Sequence, residues 1–385
     1  MSSHSEGGAG FRGAMPHLDE YRDPAACRAL VERIGARASR RHTLMEVCGG
    51  QTHGLLAHGI DRELADVVEL IHGPGCPVCV TPEQDIDWAI AACLAPGVLV
   101  ATFGDMLRVP GRGGSLREAR AAGGQVRMVY SPLDAVSMAR ERPDLQVVFL
   151  AVGFETTAPA TALAVRQARE MQLDNFSLLV SHVRVLPAME MIAGAPGNRV
   201  DAFLAAGHVC AVDGYRDYHR FARDHHVPVV VTGFEPVDLL LGILECVEQL
   251  EASRAEVVNV YHRNVREAGN DHARQLVDSV YEVADRGWRG IGEVPGGGLQ
   301  LRAAWRDFDA RLRLDWIQAH DDGQRAPCSG CRSGEVLVGR IKPPECPSYG
   351  GECTPEHPLG APMVSSEGAC MAYYLRRDGL PREDA

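Results

Sequence analysis

Residues 147–159 read VVFLAVGFETTAP: a six-residue apolar run, a glycine, a polar turn, and then the stretch Ala158–Met171, whose apolar positions recur at helical spacing. A short continuous apolar run that ends in a Gly-containing turn and opens an amphipathic helix is half of a βαβ unit. A parallel strand is covered on both faces, so it shows no polar alternation. The same grammar recurs from residue 43 onward. Thr43–Val47, Val67–His72, Val98–Phe103, Val126–Tyr130, Ser177–Ser181, His208–Val212 and Val229–Thr232 read as further strands, with Glu83–Leu94 and Pro132–Arg140 as helices between them. The fold class that follows is α/β with doubly wound parallel sheets. Eight strands would crowd one open sheet and fit two smaller ones better.

On this reading the chain divides into an N-terminal tail and helix over 1–39, a first α/β domain over 40–140 and a second over 141–245. A third unit occupies 246–385, where two helical patterns, Arg254–Ala268 and Asp271–Ala284, lead into a Gly/Pro- and Cys-rich region with little regular structure. At 385 residues there is enough chain for two or three separate cores.

Charge excludes some functions. Thirty-nine basic against 51 acidic residues give −12, and no Lys/Arg run could neutralise a phosphate backbone, so nucleic acid is not an expected partner. The longest apolar stretches, such as Val237–Val247, are broken by Asp238, Gly242 and Glu245 and fall well short of the roughly 20 residues a membrane span needs. The N-terminus is polar and Gly-rich, without the apolar core of a secretory signal, which points to a cytoplasmic protein. In that compartment disulfides are rare, so the twelve cysteines read as metal ligands or reactive thiols. Cys27, Cys93, Cys210 and Cys246 sit among apolar neighbours and read as buried structural thiols.

The remaining cysteines occupy unusual turns. Cys48 lies in EVCGGQTH (46–53), where a strand gives way to a glycine turn before a helix expected to start near His53. A helix N-terminus and a nearby imidazole both lower a thiol's pKa, which makes Cys48 a candidate nucleophile or iron ligand, with His53 either capping the turn or moving protons. GPGCPVC (73–79) places Cys76 and Cys79 in a CxxC suited to a reversible disulfide or a metal clamp. In GFETTAP, Glu155 with Thr156 and Thr157 could cap a helix or orient a ligand. Asp105, His182 and Glu235 stand at equivalent strand ends, where each alone is more often structural. Because ligands of doubly wound sheets bind outside the carboxyl ends of the strands, this chemistry is expected along one edge.

The C-terminal block carries Cys331, Cys346, Cys353 and Cys370 at intervals of 15, 7 and 17 amid Gly and Pro. Four thiolates can hold zinc or a four-iron cluster, and spacing alone leaves both open. No Walker-A sequence, dinucleotide fingerprint or CxxxCxxC triplet is present.

Taken in series, CGGQTH, GPGCPVCVTP, GFETTAP and ECPSYGGECTPEHPLG with MVSSEGACMAYY closely resemble the HypD family of hydrogenase maturation factors, in that family's order, from about residue 25 to 375. The resemblance implies two similar Rossmann-like domains facing a cleft and a third domain holding a [4Fe-4S] cluster. It implies a complex with the small chaperone HypC, joined by HypE, which delivers cyanide made from carbamoyl phosphate by HypF. The product is the Fe(CN)2CO unit destined for the hydrogenase large subunit. Residue by residue, Cys48 matches the cysteine that ligates the iron being assembled, with His53 beside it. Cys76 and Cys79 match the paired thiols, and Cys331, Cys346, Cys353 and Cys370 match the cluster ligands. GFETTAP matches a cleft motif. Two positions depart from the family: Ser333 and Pro362 stand where many members have a redox-active pair of cysteines near the cluster, which turns attention to Cys328 as a substitute. A rival reading is a cysteine-nucleophile hydrolase or transferase, with Cys48 and His53 as its catalytic pair and a structural zinc domain.

Overall fold

The computed structural model describes residues 19–317 and 330–376. Its strands are β1 (His42–Glu46), β2 (Val68–His72), β3 (Val98–Thr102), β4 (Val126–Met128), β5 (Gln146–Gly153), β6 (Phe176–His182), β7 (Ala202–Ala206), β8 (Val229–Thr232) and β9 (Val257–Asn259). They are followed by an antiparallel hairpin, β10 (Tyr281–Trp288) and β11 (Gly292–Leu301). The first nine form two parallel sheets: a five-stranded one ordered β2-β1-β7-β8-β9 and a four-stranded one ordered β4-β3-β5-β6.

This strand order corrects the division at residue 140. β1 pairs with β7, Leu44 facing Ala202 and Glu46 facing Leu204, while β3 pairs with β5, Val100 facing Val148. The first sheet therefore begins before residue 72 and resumes after 202, and the second lies inserted between its halves. The apolar run of a parallel strand declares that both faces are buried but not which strand lies beside it. Helix Val185–Gly194, leaving β6, carries the chain back to the first sheet.

β5 shows how the layers are built. Val147, Phe149 and Ala151 face helices Pro132–Glu141 and Ala158–Glu170 on one side, and Val148, Leu150 and Val152 face helix Glu83–Leu94 on the other. That is the two-residue period of a strand with no solvent face.

Two expectations fail for physical reasons. His208–Val212 is not a strand; it belongs to helix Gly207–Asp213, and the strand is the preceding Ala-Phe-Leu-Ala-Ala. All five residues of β7 are buried between β1 and β8, so position in the sheet outweighs alanine's weak strand preference. Arg254–Ala268 is likewise no helix: Val257–Asn259 forms the edge strand β9 and a loop follows. The helix over Asp271–Val280 does form, capped by Asn270, whose side chain accepts from the Ala273 N–H, but it stops at Val280 because the chain enters the hairpin. There Tyr281 is buried and its hydroxyl donates to Thr161 Oγ1 at 2.8 Å, anchoring the hairpin on the second sheet.

Residues 330–376 carry only short helices and 3-10 turns, among them Ser333–Leu337, Ala361–Met363 and Ala369–Tyr374. This segment is fastened to both sheets. Arg199 Nε donates to Gly339 O at 3.0 Å, and Arg108 Nη2 donates to Val364 O at 2.7 Å. Among the described residues no helix is long and apolar enough to cross a membrane.

Candidate functional site

In the five-stranded sheet the strand order reverses between β1 and β7, which opens a crevice at their carboxyl ends. Cys48 stands there, two residues past β1. The helix begins at Gly49 rather than near His53, so Cys48 is its N-cap residue. Glycine makes this turn possible. The Gly49 N–H donates to Gly75 O at 2.9 Å, and a methyl group on Gly75 would overlap the Cys48 backbone. The GPGC loop thus lies backbone to backbone against the CGG turn. In that loop Cys76 caps helix Pro77–Val80, its sulfur accepting from the Cys79 N–H at 3.3 Å. Cys48, Cys76 and Cys79 are all buried in one apolar cluster.

The imidazole at Cys48 comes from elsewhere in the sequence: Nδ1 of His208 lies 3.5 Å from Cys48 Sγ. His208 sits two residues past β7, on the other side of the same reversal, and its ring packs on Phe234 of the GFEP turn at 5.4 Å. His53, in the second turn of its helix, is exposed. His208 was hidden because HVCAV reads as a strand; the usable signal was the Ala-Ala-Gly-His sequence, a small-residue strand closing on glycine as Glu46-Val-Cys-Gly does.

Burial overturns the expected acidity of Cys48. The Gln51 and Gly50 backbone N–H groups favour the thiolate, but loss of solvent dominates and pushes Cys48 up to about 12, with Glu367 and Glu46 adding repulsion. Burial likewise drives His208 down to about 4. Cys79 is held well above the ordinary thiol value, first by burial, then by Cys76, Cys370 and Glu367.

Cys331, Cys346, Cys353 and Cys370 line one small cavity together with Ser333, Pro362 and Met363. The thiols act on one another: Cys370 is raised by burial and then by Cys331, Cys353 and Cys346. Cys353 Sγ accepts from the Leu359 N–H at 3.4 Å, and a Cβ on Gly360 would lie 2.6 Å from Cys331 Sγ. Among the described residues no three His, Cys, Asp or Glu side chains gather as a single metal ion would require; the four sulfurs border a space instead. All are soft donors, which suits a thiolate-ligated group. Cys328 lies outside the described residues. Every described cysteine is a free thiol, with Cys93, Cys210 and Cys246 buried and Cys27, contrary to expectation, partly exposed.

The two thiol regions adjoin. Helix Ala369–Tyr374, which carries Cys370, packs on helix Gly49–Ala57. Glu367 presses on Gly49. Behind them runs a buried chain: Tyr373 Oη lies 3.0 Å from His72 Nε2, His72 Nδ1 lies 2.6 Å from Glu46 Oε1, and Thr52 Oγ1 donates to the same carboxylate oxygen.

Glu155 is placed elsewhere. It does not cap helix Ala158–Glu170, whose N-cap Thr157 makes no side-chain bond; its Oε1 accepts from the Val185 N–H at 2.9 Å. Glu155 lines a cavity with Asp213, Arg184 and Tyr218, to which Cys48, Cys76 and Cys79 contribute nothing. Burial, followed by repulsion from Asp213, raises it to about 7. The other strand-end residues have local partners: His182 bridges Gly153 O and Thr161 Oγ1, Glu235 pairs with Arg22, and Asp105 with Arg108.

Comparison with known proteins identifies the family. The family model described as "HypD: Hydrogenase formation hypA family" matches residues 25–377. The chain belongs to the HypD family of hydrogenase maturation factors. It is 44% identical over 371 residues to "Hydrogenase maturation factor HypD" of Rhodobacter capsulatus, covering 94% of this chain and 98% of that one. Identity is again 44%, over 372 residues, with the protein of the same name from Escherichia coli (strain K12), with the same shares. It is 43% over 370 residues with that of Cupriavidus necator, covering 94% of this chain and 97% of that one.

Proposed function

We propose that the chain is the scaffold on which the Fe(CN)2CO unit of a [NiFe]-hydrogenase is assembled in the cytoplasm. Cys48, together with a cysteine of a HypC-type chaperone, holds the iron, and HypE supplies the cyanide that HypF prepares. The observation that carries this is the convergence of Cys48, His208, Cys76 and Cys79 at the carboxyl edge of β1, β2 and β7, beside the helix of Cys370. Cys48, buried and protonated, becomes a ligand by losing its proton as iron takes that place on the sulfur. His208, with Nδ1 3.5 Å from the sulfur, can pass that proton outward without keeping it, since burial holds its ring neutral at physiological pH. Cys76 and Cys79 can release two electrons and two protons as they close to a disulfide. Cys331, Cys346, Cys353 and Cys370 would hold a [4Fe-4S] cluster, which supplies one-electron redox capacity when bound.

The hydrolase reading has one observation in its favour, the 3.5 Å approach of Cys48 to His208. A catalytic Cys–His pair works as thiolate and imidazolium near neutral pH. Here burial moves the two groups in the opposite directions, so the neutral pair fits metal capture better. Anaerobic co-purification with a HypC-type partner, followed by infrared spectroscopy, tests the proposal: cyanide and carbonyl stretches should appear on the complex, and their absence under hydrogenase-producing conditions would refute it.

A further inference from the structure

In the four-stranded sheet the strand order reverses between β3 and β5, and Glu155 leaves β5 at that reversal. The cavity it lines lies toward β6 and the hairpin, encloses about 240 Å3, and takes no part in the chemistry proposed for Cys48. That is roughly eight waters' worth of space.

We propose that this cavity binds a small zwitterion of the amino-acid class with an aliphatic side chain. Glu155 is 7% exposed, and while its Oε1 is satisfied by Val185, its Oε2 is buried with no hydrogen-bond partner. A buried acceptor left unmade is costly, so an orphan at a cavity wall marks the place of a missing donor. Asp213 sets a second carboxyl on the same wall, so the donor favoured there is an ammonium group. Arg184, Arg216 and Arg274 also line the cavity. Arg184 Nη1 and Arg274 Nη1 each donate to a backbone carbonyl, at 3.0 and 2.9 Å, which uses one of five N–H donors apiece and leaves the guanidinium forks able to take a carboxylate. Asp217 and Asp278 add two exposed carboxylates at the mouth, and the remaining wall is largely apolar, including Leu186, Val277 and Leu299, with Val283 standing 53% exposed at its rim. A simple anion would leave Oε2 unsatisfied and face four carboxyls, those of Glu155, Asp213, Asp217 and Asp278; a simple cation would face three guanidinium groups. A molecule carrying both charges and an apolar side satisfies all three parts of the wall.

Isothermal titration of the full-length protein, purified anaerobically with its metal content intact, tests this with L-leucine, L-valine and L-methionine as probes. N-acetyl-L-leucine removes the ammonium and L-leucine methyl ester removes the carboxylate. At least one free amino acid should bind saturably, and each blocked form should bind at least about tenfold more weakly, the loss expected when a charged group loses its partner. Glu155→Gln should weaken the free amino acid by about tenfold and leave the N-acetyl form unchanged. Arg216→Ala, an exposed helix position whose loss spares the core, should weaken the free amino acid and leave the ester unchanged. No saturable binding by any free amino acid up to about 10 mM, far weaker than charge-paired recognition gives, would overturn the proposal. So would equal affinity for leucine and either blocked form.

Discussion

The five-stranded sheet reverses at β1/β7 and the four-stranded sheet at β3/β5, yet the first reversal gathers thiols and imidazole while the second presents a carboxyl facing guanidinium groups. The winding at the two reversals is the same. What differs is the residue placed one or two steps beyond each strand. Cys48 and His208 make the first a soft-donor site, and Glu155 makes the second a hard, hydrogen-bonding one. The Cys-rich segment packs against both reversals, through Glu367 and Tyr373 at the first and through Val364, which accepts from Arg108, at the second; the cavity of Glu155 lies to the side, toward β6 and the hairpin. On the two proposals made above, one topology separates metal capture from a second ligand chemistry on the same chain.

The largest expected effect comes from the segment that packs against both reversals. Cys370→Ala should abolish bound iron and sulfide, from about four of each to none, because no fifth thiol lines the cavity among the described residues. Metal-binding energy there is also folding energy, so the same variant should lose protease resistance over residues 330–376 first. Retention of full iron content would break the account of the cluster ligands.

Gly75→Ala and Gly153→Ala compare the two turns directly. A methyl on Gly75 meets the Cys48 backbone, and on Gly153 it meets the Thr157 Cβ, an atom that side-chain rotation does not move, so in both turns the backbone itself must shift. Chemical denaturation should show a loss of about 3 kcal/mol for each. A loss below about 1 kcal/mol for either would mean that its turn is not closed by that contact.

Glu155→Gln sharpens the contrast through pH. The folded protein holds Glu155 at about 7, above the ordinary 4.5, so its protonated form favours folding and that contribution fades as pH rises through 7. The variant, which never ionises, should match the parent below about pH 4 and be more stable by about 3 kcal/mol at pH 8.5, the difference growing between about pH 4.5 and 7. A difference that does not change with pH would contradict the buried-carboxyl reading. Smallest of all, exposed His53→Ala should change maturation activity by less than about threefold, whereas His208→Ala should lower it by more than about tenfold.

Much of this was legible in the chain. Val147–Val152 announces a strand buried on both faces, and CGGQTH and GPGCPVC announce where sulfur would collect. What the pattern could not convey is adjacency. Nothing in Thr43–Val47 says that its neighbour is Ala202–Ala206, a strand so poor in branched residues that only its place between β1 and β8 makes it one. His208 was misplaced with it, since reading His208–Val212 as a strand turns the histidine into a sheet residue. The acidity of Cys48 was misjudged for a related reason: a helix N-terminus is local and visible in sequence, but the burial that overrides it is tertiary.

The central claim is that Cys48 holds the iron under assembly, and infrared spectroscopy of the Cys48→Ser protein purified anaerobically with a HypC-type partner tests it most directly. The hydroxyl nearly preserves volume at the N-cap and is a poor ligand for low-spin iron. The account predicts an intact fold, an unchanged iron-sulfur content at the C-terminal thiols, and no cyanide or carbonyl stretches. Undiminished bands in that complex would contradict it and move the assembly site to Cys76 and Cys79.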